Sequence, residues 1–194
     1  MIGNFLCLST IRPINRFDGV DLFLRRWSSR ESALSISQPL RSEFGNLNLL
    51  GESACKYATP FTPKDPGFDT SLEPVVAEAV ITAVSLGIVT YTSCEGHEYS
   101  NGQRDLWHVG TIDRNGDLKQ FLLKVTEAYR MVRDVSMPEL VVYEGSLHCT
   151  QANQNYPCYD LYFLDLSVNF DDYKLACKIA CNILANIMRK NWSQ

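Results

Sequence analysis

The chain has 194 residues, 45% of them hydrophobic and 21% charged, and a formal net charge of −4. That length and composition suit one well-formed core and exclude a disordered chain. The negative balance removes any global electrostatic case for nucleic-acid binding, and no apolar run approaches the ~18 residues of a membrane span.

The seven cysteines (Cys7, Cys55, Cys94, Cys149, Cys158, Cys177 and Cys181) are odd in number and irregularly spaced. This usage points to a reduced, intracellular, cytoplasmic protein rather than a disulfide framework. The first residues lack the charged-then-apolar order of a secretory signal.

Residues 1 to 57 read as an N-terminal extension packed on the core, and 58 to 194 as a single domain. Arginine dominates the basic residues of the extension (Arg12, Arg16, Arg25, Arg26, Arg30 and Arg41), and Val20 to Trp27 reads as a short helix or strand. An arm that docks on a partner is the alternative use of this segment. Pro60, Pro63, Pro66 and Gly67 form an extended connector. Thr70 or Ser71 then caps a helix with Glu73 and Pro74 near its start, and Gly87 ends it in a left-handed cap.

Ile88 to Ser93 reads as a strand, Glu95 to Asp105 as a loop with a turn at Ser100-Asn101-Gly102, and Leu106 to Ile112 as a second strand. Apolar residues from Leu118 to Val132 recur at helical spacing. The order then repeats. A strand from Leu140 runs towards His148-Cys149, a polar loop spans Thr150 to Pro157, and a strand covers Tyr159 to Val168. Asn169 caps a final helix with Asp171 and Asp172 in its first turn. Two strand-strand-helix units behind a leading helix imply an α+β domain, with a mainly antiparallel sheet and helices on one face. Pseudo-symmetric stacking of the units would bring the loops Cys94 to Asp105 and Cys149 to Pro157 to one end of the sheet.

Chemistry concentrates in Ser93-Cys94-Glu95-Gly96-His97-Glu98, where a strand surfaces into a loop. His108 faces Cys94 across the first hairpin, and His148 with Cys149 occupies the matching place in the second. Three chemistries use this set. In the first, Cys94 is a nucleophile activated by His97 or His108 as general base, with Glu95 or Glu98 orienting the imidazole and N–H groups around Gly96 binding an anion. In the second, Cys94, His97, His108 and His148 ligate zinc. In the third, Ser93, Glu95, Gly96, Glu98, Arg104 and His148 bind a polar small molecule or nucleotide without catalysis. The bland alternative is a buried free cysteine beside histidines that merely satisfy hydrogen bonds. The Pro-Cys-x-x-Cys half of a zinc deaminase is missing, since position 161 is leucine, and no Gly-rich phosphate loop occurs.

Thr90-Tyr91-Thr92-Ser93-Cys94-Glu95-Gly96-His97 resembles the Ser-Ser-Cys-Ser-Gly-Arg signature of the tRNA wybutosine-synthesising protein 3 family. Tyr143-Glu144-Gly145 before His148, and Phe163 to Val168 followed by Asp171 to Ala176, have a similar look to its later strand and final helix. The resemblance spans residues 70 to 190. It implies an α+β fold and methyl transfer from S-adenosylmethionine to a modified tRNA base. From the residues themselves the expected function is a Cys/His-dependent hydrolase or transferase acting on a small polar molecule or nucleotide. A non-enzymatic ligand- or zinc-binding module is the alternative.

Overall fold

The structure, a computed structural model, describes residues 5–7, 15–16, 20–28, 41–42, 45–46, 62–65, 68–149, 153–164 and 169–192. The fold is α+β. Its main sheet runs in the order β1 (Phe5–Cys7), β9 (Glu139–Cys149), β10 (Gln154–Leu164), β8 (His108–Ile112) and β5 (Val89–Cys94), and β2 (Asn15–Arg16) also pairs with β9. The pairs β5–β8, β8–β10 and β10–β9 are antiparallel, while β1 and β2 lie parallel to β9. Two small ladders stand apart: β3 (Arg41–Ser42) with β4 (Gly45–Asn46), and β6 (His97–Glu98) with β7 (Arg104–Asp105).

Three helices cover one face. They are α3 (Ala77–Ser85), α4 (Leu118–Val132) and α5 (Phe170–Asn191). Val76, Val80, Leu122, Val125, Cys177 and Leu184 pack there on Trp107, Val142, Leu161 and Phe163. Alternation along β10 sends Tyr159, Leu161 and Phe163 to this face and Cys158 to the other. The opposite face is covered in part by α1 (Val20–Ser28). Its Val20, Phe23 and Leu24 fall at i, i+3 and i+4 and pack on Val89, Tyr91, Ile112, Leu147 and Cys158. The leading segment therefore forms a helix, and its apolar stripe extends the helical cover to both faces. Arg26 fastens α1 to the connector, its guanidinium lying 2.5 Å from the buried Asp65 carboxylate, which also accepts the Thr62 N–H. The rest of the proline-rich connector lies outside the described residues, as do 165–168 of the expected last strand.

The helix expected from Thr70 onwards is broken. A short α2 (Phe68–Ser71) ends first, and α3 begins only at Ala77, with no side-chain cap at Val76. Ser71 Oγ donates back to the Phe68 carbonyl instead of capping forward, and Pro74 offers no N–H. The Glu73 carbonyl accepts from Val76 and Ala77, which leaves its carboxylate pointing elsewhere. Gly87 terminates α3 at φ +81 as expected, and Asn169 Oδ1 caps α5 by accepting from Asp171 N (2.8 Å) and Asp172 N (3.3 Å). Part of the expected polar loop is strand, since β10 begins at Gln154. Pro157 is tolerated there because its carbonyl faces Asp113, just past the end of β8, so its missing N–H interrupts no ladder.

The two hairpin loops sit at opposite ends of the sheet. Cys94 lies in line with His108, Tyr162 and Val141, whereas His148 is seven residues further along β9, roughly 23 Å away at strand rise. The reason is one of parity. Three antiparallel passes per unit reverse the chain, so β5 and β9 run in opposite senses and their hairpins turn at opposite ends. The starts of α3 and α5 both fall at the Cys94 end.

Tyr173 ties α5 to the sheet at that end. Its hydroxyl accepts the Trp107 N–H and donates to the Phe163 carbonyl, both at 2.8 Å and both buried. Tyr173→Phe orphans two buried backbone groups and is expected to lower the unfolding free energy by about 1–3 kcal/mol. Urea unfolding checks this through a lower midpoint at unchanged slope.

Candidate metal centre

β5 carries Cys94 to the surface past an irregularity between Thr90 and Thr92, which bends the strand. The chain then turns at Gly96, whose φ of +91 favours glycine; a Cβ there would meet the Asp105 carbonyl at 3.1 Å and the Tyr173 ring at 3.3 Å. The Gly96 N–H points back at Cys94 Sγ, 3.3 Å away. Beyond it the expected loop is itself a small hairpin, with His97 opposite Asp105 and Glu98 opposite Arg104. Directly opposed residues share a face, and so do i and i+2. His97, Tyr99 and Asp105 therefore lie on one side, Glu98 and Arg104 on the other.

On the first side, the donor atoms of Glu73, Cys94 and His97 come within 4.8 Å of one another, the one such group of three among the described residues. His97 Nε2 lies 2.9 Å from Glu73 Oε1, a close contact without hydrogen-bond alignment. Nε2 itself is buried. The other Glu73 oxygen accepts the Glu95 N–H at 2.8 Å. Glu95 in turn is held by its side chain, which accepts from Val75 N (3.2 Å) and Lys174 Nζ (2.5 Å).

Burial pushes the Cys94 thiol up to about 12; the Gly96 N–H opposes the rise, and the carboxylates of Glu73, Asp105 and Glu95 add to it. Tyr99 donates its hydroxyl to Asp105 Oδ2, and that bond is the main reason the phenol is also raised to about 12.

The sequence candidates divide accordingly. Cys94 and His97 meet. Glu95 does not reach the imidazole; that place is taken by Glu73, which sequence reasoning treated only as a helix-start residue. Glu98 and Arg104 pair with each other at 2.8 Å, and the guanidinium lies 5.5 Å from the Phe170 ring centre. Ser93 is half-buried opposite Val109. His108 is the ladder partner of Cys94, as expected, but lies outside the three-donor group: its ring stacks on Tyr162 and its Nε2 is 3.4 Å from Thr92 Oγ1. His148 bonds Asn155 Oδ1 at the far end of the sheet and belongs to no common site with Cys94. The side chain of Cys149 lies outside the described residues. Cys158, Cys177 and Cys181 are buried.

A tetrahedral zinc about 2.0–2.3 Å from each donor would separate the donors by about 3.3–3.8 Å. The Glu73–His97 contact at 2.9 Å would open slightly to reach this, and all three donors already lie within 4.8 Å of one another. Without a cation, a thiol at about 12 is almost wholly protonated at neutral pH, which opposes a free thiolate nucleophile. In metal-free protein, iodoacetamide is expected to alkylate Cys94 far more slowly at pH 8 than a free cysteine of pKa about 8.5, with the rate still climbing at pH 10. A rate that levels off below pH 9 would contradict the protonated thiol. No protein-family model, no curated protein and no solved structure matches this chain.

Proposed function

We propose that Glu73, Cys94 and His97 hold a zinc ion, and that the protein is a zinc-dependent enzyme acting on a small polar molecule. The observation that carries this is the convergence of a carboxylate, a thiol and an imidazole whose buried Nε2 has no aligned hydrogen bond. Thiolate, imidazole and carboxylate are the donors zinc takes, and three protein ligands with a fourth position open is the pattern of catalytic zinc sites. A zinc ion there would supply Lewis acidity and an acidified bound water.

The surroundings support the same reading. Glu73 is oriented by the Glu95 N–H, as metal-ligating carboxylates are by their outer hydrogen bonds. The carboxylates of Glu73, Glu95 and Asp105 all disfavour the thiolate, and a divalent cation would reverse that balance. Methyl transfer, implied by the resemblance of Thr90–His97 and the later segments, is the second reading. Among the described residues no helix is long and apolar enough to cross a membrane.

Elemental analysis of zinc-loaded, dialysed protein is expected to give one zinc per chain. Cys94→Ala and His97→Ala are expected to fall to background while circular dichroism shows them folded, and Glu73→Gln to retain less zinc than wild type after the same dialysis. His108→Ala and His148→Ala should keep full zinc. Wild-type protein that retains none, or a Cys94→Ala variant that retains all, would overturn the assignment.

A further inference from the structure

If three side chains take the zinc, the groups set beside it are the others on the same side of the β6–β7 hairpin as His97. Those are Tyr99 and Asp105, set there by the pairing of His97 with Asp105 and by the two-residue repeat from His97 to Tyr99. Asp105 is exposed, and its Oδ2 is occupied by the Tyr99 hydroxyl. Its Oδ1 has no partner among the described residues.

The charges around it are already matched elsewhere. Lys174 is paired with Glu95 at 2.5 Å, and Arg104 is paired with Glu98 on the opposite side of the hairpin. Asp105 is thus a carboxylate opposite His97 that no lysine or arginine pairs among the described residues. Its pairing with His97, and its carbonyl against Gly96, place it close to the cluster. It is not within the three-donor group, so it stands beside the ligands rather than among them.

We infer that Asp105, oriented by Tyr99, is the substrate-recognition residue of this site, and that the substrate carries a cationic N–H donor, an ammonium or guanidinium group, a short distance from the atom that meets the metal. This rests on the zinc assignment above and narrows it. A carboxylate held on one oxygen by a phenol and free on the other can take such a donor in a charge-assisted bond. It repels phosphate and carboxylate groups, which makes an anionic nucleotide a poor fit.

The test uses full-length protein loaded with Co2+ in place of zinc, read by its thiolate-to-cobalt absorption band. Two small thiols serve as probes, cysteamine and mercaptoacetate. Each offers sulfur to the open position, and they differ in the charge of the tail. The ratio of their dissociation constants is measured in wild type and in Asp105→Asn, so that the intrinsic acidity of each thiol cancels. The preference for cysteamine is expected to be about tenfold larger in wild type than in Asp105→Asn, the size of one charge-assisted contact. An equal ratio in the two proteins, with the cobalt band intact, overturns this inference and leaves the metal site standing. Thiols that leave the band unchanged show a closed coordination shell and overturn it as well. A wild-type protein that forms no cobalt–thiolate band overturns the metal site and this inference with it.

Discussion

Glu95 grips the segment 73–75 with both ends of the residue. Its main-chain N–H takes one oxygen of Glu73, and its carboxylate takes the Val75 N–H, with Lys174 of α5 neutralising the charge. Around a proline that can donate nothing, these bonds fix where the chain leaves α2 and where α3 begins. They also set the direction of the free Glu73 oxygen, which faces His97. The end of β5, the start of α3 and the first turn of α5 are thus joined through one glutamate. The three-donor group sits where those elements meet. Trp107, wholly buried beneath, reaches the same junction through its indole N–H to the Val75 carbonyl.

This arrangement explains why the chain tolerates several carboxylates in so small a space. Glu95 and Glu98 each have their own cation, on opposite sides of the small hairpin. Glu73 is turned to an imidazole and Asp105 to a phenol. Each acid is given a different kind of partner, while the thiol has only the Gly96 N–H on the side of its charged form, against burial and three carboxylates.

Local signals were legible wherever the local rule had no competitor. The periodicity of Leu118–Val132 gives α4 to the residue, and Gly87 and Asn169 end and begin helices by their own backbone and side-chain chemistry. The loop from Cys94 to Glu98 was legible as a candidate site because it concentrates four reactive side chains at a strand end. Glu73 was not, because its role depends on contacts to Glu95 and His97, more than twenty residues away on another element, and nothing in its own neighbourhood announces them. The β6–β7 ladder was hidden because two residues per strand are too few to show alternation. His148 was misplaced by a count of passes: similar units suggested similar ends, but three passes invert the second unit.

The order of the sheet has a consequence for how the molecule is made. β10 follows every other strand of the main sheet in the chain, yet it lies between β8 and β9. Until it is synthesised and inserted, those two strands each present an open edge, and the long-range ladders of the sheet wait on the end of translation. The hairpin of β5 and β8, with Cys94 and His97 at its turn, is by contrast local in sequence and complete much earlier. On a nascent chain the turn that carries Cys94 and His97 is thus made before α5, whose Tyr173 and Lys174 later pack against it.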